Sequence, residues 1–84
     1  MVSLTKNFAR LFGPHNITVN AIAPALVDTR MVRGSMSEAA IEDVTGAMPI
    51  GRMAEAEEIA MGVAYLASDS AGAITGHTLD INGG

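Results

Sequence analysis

Within these 84 residues, the stretch Asn20-Ala21-Ile22-Ala23-Pro24-Ala25-Leu26-Val27-Asp28-Thr29 holds the residue types and spacing best suited to meeting a ligand. An apolar run reaches a proline and then presents a valine and a threonine. In open parallel sheets, ligands bind outside the carboxyl ends of strands. Past Pro24 the chain must leave any sheet, which frees the backbone groups of Ala25 to Val27 for a ligand. Val27 can offer N–H and C=O to an amide, and Thr29 adds a hydroxyl that both donates and accepts. The same residues equally suit a solvated loop with a turn-forming threonine, and their types alone do not choose.

Other chemistry is sparse. Ser3, Ser35, Ser37, Ser68 and Ser70 lack a nucleophile-elbow setting, and no nucleophile-base-orienter set assembles. The carboxylates gather at helix starts, where capping and the helix dipole account for them. Tyr65, the single tyrosine, sits in a helical pattern among apolar neighbours and reads as a core or interface residue. No Gly-rich phosphate turn is present. Cysteine is absent, and His15 and His77 lie far apart, so no metal site is expected. No catalytic residue is assigned.

A net charge of −4 with scattered basic residues lacks the basic stripe that nucleic-acid binding needs. The longest apolar run, Ile59 to Ala67, is too short to span a bilayer, and Lys6 and Arg10 spoil the N-terminal stretch as a signal peptide. These features lead us to expect a cytoplasmic, acidic protein without nucleic-acid or membrane partners. Yet 49% apolar residues and a mean hydropathy of +0.31 suit the interior of something larger. The chain is therefore expected to be one incomplete domain over residues 1–84, or to bury its faces against partners.

The elements that position the strand end follow from periodicity. Met1, Leu4, Phe8 and Leu11 mark one helical face, closed by Gly13 and Pro14. No capping residue precedes Met1, so this helix is expected to start upstream. Ile17 to Ala23 suits a parallel strand covered on both faces. Its polar Asn20 is expected to tie neighbouring backbone together, and Pro24 to end the ladder. Ala25 to Met36 reads as a loop with at most a turn of helix. Ser35 and Glu38 fit a capping box before a short helix carrying Ile41, Val44 and Met48. Glu55, Glu57 and Glu58 open a second helix with an Ile59, Val63, Leu66 stripe. Gly62 costs that helix about 1 kcal/mol relative to alanine, and close packing would explain it. Thr78 to Ile81 is a last strand, and Asn82-Gly83-Gly84 a turn or free end. The order helix-strand-helix-helix-strand makes an α/β chain with one βαβ unit.

Asn20 to Thr29 resembles the Asn-x-x-x-Pro-Gly-x-Val/Ile-x-Thr segment of short-chain dehydrogenases/reductases. Pro49-Ile50-Gly51-Arg52 with Glu57-Glu58-Ile59-Ala60, Val63-Ala64-Tyr65-Leu66-Ala67-Ser68-Asp69, and Ile74 to Gly84 are similar to three further motifs of that family, in order. Leu4-Thr5-Lys6 matches the helix that follows its catalytic lysine. The likeness covers the whole chain, and the nearest group is that of the 3-oxoacyl-carrier-protein reductases.

The resemblance implies the last βαβ unit of a Rossmann-like, doubly wound parallel sheet. It implies that NAD or NADP binds with Pro24, Ala25 and Val27 lining the nicotinamide pocket. Val27 backbone groups would hold the carboxamide, and Thr29 would hydrogen-bond near the carboxamide or the pyrophosphate. Leu26 to about Met48 would be the substrate lid, with Met31, Val32 and Met36 as an apolar lining. A small carbonyl/alcohol substrate and a homo-oligomer are implied as partners. Ala25, Ala56 and Asn82 depart from the family's usual glycine, proline and aspartate. The family's Gly-rich turn, catalytic serine and Tyr-x-x-x-Lys pair would lie upstream of Met1, so the chain alone is expected to be inactive. The competing expectation is a non-catalytic assembly module that oligomerises through its strand edge and helix faces.

Overall fold

The computed structural model describes residues 2–84 as four α-helices and two short parallel strand pairs. Helix α1 (Val2–Phe12) runs into a 3-10 turn at Gly13–His15. The chain reverses at Asn16, whose φ of 60° is left-handed and whose N–H donates to the Gly13 carbonyl at 2.9 Å. The α-helix thus stops at Phe12, before Gly13-Pro14 as expected, and asparagine tolerates the left-handed conformation that closes the 3-10 turn after it. Met1, first of the expected helical face, lies outside the described residues. The remaining Leu4, Phe8 and Leu11 are exposed, and the face that α1 buries carries Thr5 and Ala9. Small side chains allow that approach: a Cβ added at Gly76 would stand 3.4 Å from Ala9 Cβ.

Strands β1 (Ala21–Pro24) and β4 (Thr78–Ile81) pair in parallel, Ala21 opposite Thr78 and Pro24 opposite Ile81. The Ala21 N–H donates to His77 C=O at 2.9 Å, and the Ala25 N–H to Ile81 C=O at 3.4 Å. In this phase the odd-numbered residues of β1 bond to β4 while Ile22 and Pro24 turn their backbone outwards. Pro24 is the last strand residue, as expected, but its missing N–H removes no bond from the ladder. Strand β1 is also half-buried and not covered on both faces.

Before Ala21 side chains carry most of the pairing, beside one backbone bond. Asn20 Nδ2 donates to Ile74 C=O at 3.0 Å, and Asn20 Oδ1 accepts from the His77 N–H at 3.1 Å. Thr75 Oγ1 accepts from the Val19 N–H, and the Gly76 N–H bonds Val19 C=O. The left-handed Gly76, at φ 70°, puts the chain out of regular register, and the Asn20 carboxamide bridges the gap. Helix α4 (Ala56–Leu66) lies over this pair. A Cβ on Gly62 would come within 2.5 Å of Ile81 Cδ1 and 3.7 Å of Ile22 Cδ1, the close packing expected of that glycine.

The segment expected to be a loop forms a second parallel pair, β2 (Val27–Asp28) with β3 (Ala54–Glu55). Helix α2 (Arg30–Ser35) follows β2, and α3 (Glu38–Gly46) comes next. The cap of α3 is Ser37, whose Oγ accepts from the Ala40 N–H, and not Ser35, whose hydroxyl donates to Met31 C=O. The terminal glycines are anchored: the Ile50 N–H bonds Gly83 C=O at 3.1 Å, and a Cβ on Gly83 or Gly84 would collide with Met48, Ile50 or Pro49. At the start of α4, Glu58 reaches back to the Glu55 N–H at 3.0 Å, and Arg52 grips both its oxygens at 2.7 and 3.1 Å.

The shape is not that of a closed core. The radius of gyration is 15.5 Å with extents of 49 × 24 × 23 Å. A compact chain of this length has about 12 Å. The accessible area of 5833 Å² exceeds the roughly 4,700 Å² expected for this mass. Among the described residues, the buried apolar side chains are Ala9, Ile41, Met53, Ala54 and Ala71, which touch several elements without forming one layer.

Two outcomes follow. Asn20→Ala removes both side-chain bridges, and leaving the half-buried Ile74 carbonyl unpaired while the exposed His77 N–H turns to water costs about 1–3 kcal/mol, read as a lower urea midpoint. Arg52, with help from the Glu55 N–H, pulls the Glu58 carboxyl down to about 2 from an ordinary 4.5. A depressed acid stabilises the fold above its unfolded pKa and loses that contribution as pH falls towards the folded value. Stability should therefore decline from about pH 4.5 towards pH 2, and Glu58→Gln should flatten that part of the profile.

Candidate functional site

The chain passes from one strand pair to the other within two residues. Ala25 still donates to Ile81, and Leu26 C=O already accepts from the Ala54 N–H at 3.0 Å. This handover brings the carboxyl ends of β1 and β4 beside β2. It also sets the phase of the second ladder: Ala54 bonds to the residues flanking Val27, so the N–H and C=O of Val27 point away from β3. Val27 is half-buried, whereas Pro24, Ala25 and Thr29 are exposed. The four residues proposed from sequence thus stand together on one corner, though Val27 sits inside a strand and not past the end of one.

Thr29 caps α2. Its backbone is extended (φ −133°, ψ 163°), and its Oγ1 accepts from the Val32 N–H at 3.2 Å. One hydroxyl proton remains available to a ligand. Ala25 stands where the family pattern has glycine, yet among the described residues Asn16 is the single non-glycine with positive φ. The corner therefore imposes no left-handed turn on Ala25. Asn82, in place of aspartate, accepts from the Gly84 N–H as a carboxylate would.

Beside the corner stands a fork. Arg33 Nε donates to Asp28 Oδ1 at 2.9 Å, and its terminal nitrogen to Oδ2 at 3.1 Å. The two hydrogen bonds from Arg33 hold the Asp28 carboxyl below the usual carboxylate range. Neither residue was singled out from sequence; the only signal is the spacing of an acid at the end of one element and an arginine one turn into the next. Met31, on α2, is 81% exposed, while Val32 and Met36 are half-buried.

Tyr65 lies elsewhere. Helix α4 runs back against its strands, and its C-terminal residues Leu66 and Ala67 share a groove of about 320 Å³ with Thr18 and Asn20, at the N-terminal side of β1. The tyrosine is therefore at the opposite end of the sheet from Pro24. Among the described residues there is no cluster of three metal-ligating side chains, and no helix is long and apolar enough to cross a membrane.

The arrangement offers an outward N–H and C=O, a hydroxyl and an apolar Pro24-Ala25 surface. An N–H and a C=O side by side are the complement of a carboxamide's oxygen and amino group. Comparison with known proteins supplies context. A family model described as enoyl-(acyl carrier protein) reductase matches residues 1–84. The 3-oxoacyl-[acyl-carrier-protein] reductase of Pseudomonas aeruginosa is 49% identical over 80 residues, which cover 95% of this chain and 32% of that protein. The acetoacetyl-CoA reductase of Rhizobium meliloti is 45% identical over 83 residues, covering 99% and 34%. A short-chain dehydrogenase/reductase structure from Serratia marcescens superposes with a TM-score of 0.89 at 49% identity, over 99% of this chain and 33% of that one. The chain thus spans about one third of the length of the relatives it matches.

The corner generates its own test. Thr29→Ala removes the cap of α2, which costs about 0.5–2 kcal/mol of local stability. Hydrogen exchange at the Val32 amide should accelerate accordingly, while Thr29→Ser should leave it close to the unsubstituted rate.

Proposed function

The chain belongs to the short-chain dehydrogenase/reductase family, and from that premise we propose that it forms the nicotinamide-side wall and substrate lid of an NAD(P)-dependent oxidoreductase. The observation that carries this reading is the free backbone pair of Val27 at the carboxyl end of the sheet. A nicotinamide carboxamide needs one donor and one acceptor side by side, which is what Val27 presents. Thr29 adds the hydroxyl proton that capping leaves unused. Pro24 and Ala25 supply an exposed apolar surface for the face of the ring.

When bound, the nucleotide supplies hydride exchange with a carbonyl or alcohol. This chain's own residues orient and cover. Val27 fixes one edge of the ring, and α2 and α3 provide the lid, with Met31 as an exposed apolar side chain. The proposed substrate class, a small carbonyl/alcohol pair, accords with the names of the two reductases. No residue here is assigned as proton donor, since Tyr65 lies at the other end of the sheet. Residues 1–84 alone are therefore proposed to be inactive, as part of a single larger domain in a cytoplasmic homo-oligomer.

The competing assembly module draws on one observation, the exposed Val2, Leu4, Phe8 and Leu11 of α1. An apolar stripe that wide needs covering. Sedimentation separates the readings: a folded, monodisperse oligomer of the 84-residue chain supports the module, and aggregation supports the partial fold.

The decisive experiment joins residues 1–84 to the N-terminal two thirds of the Pseudomonas aeruginosa reductase. This chimera should reduce that enzyme's substrate with a nicotinamide nucleotide, whereas the isolated chain should show no turnover. Val27→Pro removes the outward N–H without touching the β2–β3 ladder. Loss of one hydrogen bond worth about 0.5–1.5 kcal/mol should raise the nucleotide KM roughly 2- to 12-fold. A nucleotide KM unmoved by Val27→Pro and Thr29→Ala would overturn the assignment.

A further inference from the structure

Helix α2 is weakly seated. It is six residues long, buries none of its side chains, and points Met31 into solvent. Its ties to the sheet are the Thr29 cap and the two-pronged grip of Arg33 on Asp28. That grip spans the corner. Asp28 is the last residue of β2, Thr29 turns the chain, and the Arg33 N–H already bonds Thr29 C=O at 3.0 Å. The fork therefore closes a ring around Thr29 from both sides.

We propose that Arg33 is a positioning residue for the nicotinamide-side corner. Acting through Asp28, it braces the turn from β2 into α2 and holds Val27 and Thr29 in their ligand-facing arrangement. The inference rests on the nucleotide reading above and adds a residue to it. An exposed ion pair contributes little to global stability unless its geometry is bidentate. Here both side chains are part-exposed, at 52% and 29% for Arg33 and Asp28, and the geometry is bidentate. Such a pair acts mainly by fixing direction, because a planar guanidinium meets a planar carboxylate in one relative orientation. The field around it favours the same state: Glu38 and Glu55 also attract the Arg33 cation, which raises its pKa further. Arg33 thus stands among carboxylates from β2, β3 and α3 and is hydrogen-bonded to the one that flanks the corner.

The test uses the chimera and three variants, with two independent readouts. In Arg33→Met, the nucleotide KM should rise about fivefold while kcat stays within twofold. Amide exchange at residues 33 and 36 should accelerate at least fivefold while Ile41, in α3, keeps its rate. Arg33→Lys keeps the charge and loses the fork, so it should fall between Arg33→Met and the unsubstituted protein. Asp28→Asn keeps the arginine and the local shape, and should move both readouts in the same direction if Arg33→Met folds poorly. Unchanged KM and exchange in Arg33→Met and Asp28→Asn would overturn the brace. If the unsubstituted chimera binds no nucleotide, the nicotinamide reading fails, and the exchange rates still decide whether Arg33 braces the corner.

Discussion

Everything in this structure hangs from the parallel pairing of β1 with β4, two strands more than fifty residues apart in sequence. Closing so long a segment costs chain entropy before any contact rewards it. Four ladder residues on each side are a small reward, and the pair begins at a left-handed glycine that spoils regular register. The carboxamide of Asn20 resolves this by taking one bond from each side of the irregularity. Strand alignment at the N-terminal side decides where Pro24 and Ile81 meet at the carboxyl side. The corner at Pro24 to Thr29 is therefore placed by a side chain at the far end of the same strand.

A second parallel pair then relays the position. Leu26 and Ala54 connect the main pair to β2 and β3, each only two residues long. Ladders that short need help, and an arginine-carboxylate fork spans each strand's junction with its helix: Arg33 of α2 on Asp28 of β2, and Arg52, just before β3, on Glu58 of α4. Both forks sit where a strand gives way to a helix. They help set the entry angles of α2, which has no fully buried side chain, and of α4, which starts beside buried Met53 and Ala54.

Much of this was legible in the residues. Asn20 announced its role because an amide inside an apolar run must find partners. Gly62 did so because a glycine inside a helix is costly without a close neighbour. The acidic cluster at Glu55 to Glu58 marked the start of α4. The β2–β3 pair escaped, since two-residue strands carry no alternation and depend on tertiary partners. The α3 cap was misplaced by two residues because Ser35, with Glu38 three residues on, fits the capping-box pattern, whereas the actual cap Ser37 has Ala40 there and is marked out only by the backbone path. The apolar spacing of α1 located the helix correctly but did not reveal that Thr5 and Ala9 form the packed face. That choice depends on Gly76, seventy residues away. At the site, Pro24, Ala25, Val27 and Thr29 were legible as one motif, whereas the Asp28–Arg33 fork required knowing that a helix begins at Arg30.

Pro24 has a consequence beyond the corner at which it stands. Its ring occupies a place on β1 where a backbone donor would otherwise face outwards, next to the outward Ile22 N–H. A foreign strand sliding along that edge would find one donor and then a blocked position. Unpaired strand edges template aggregation, and proline on an edge is one of the ways proteins blunt them. The residue at the turn towards β2 also makes the edge of β1 that is unpaired among the described residues a poor seed for β-sheet growth.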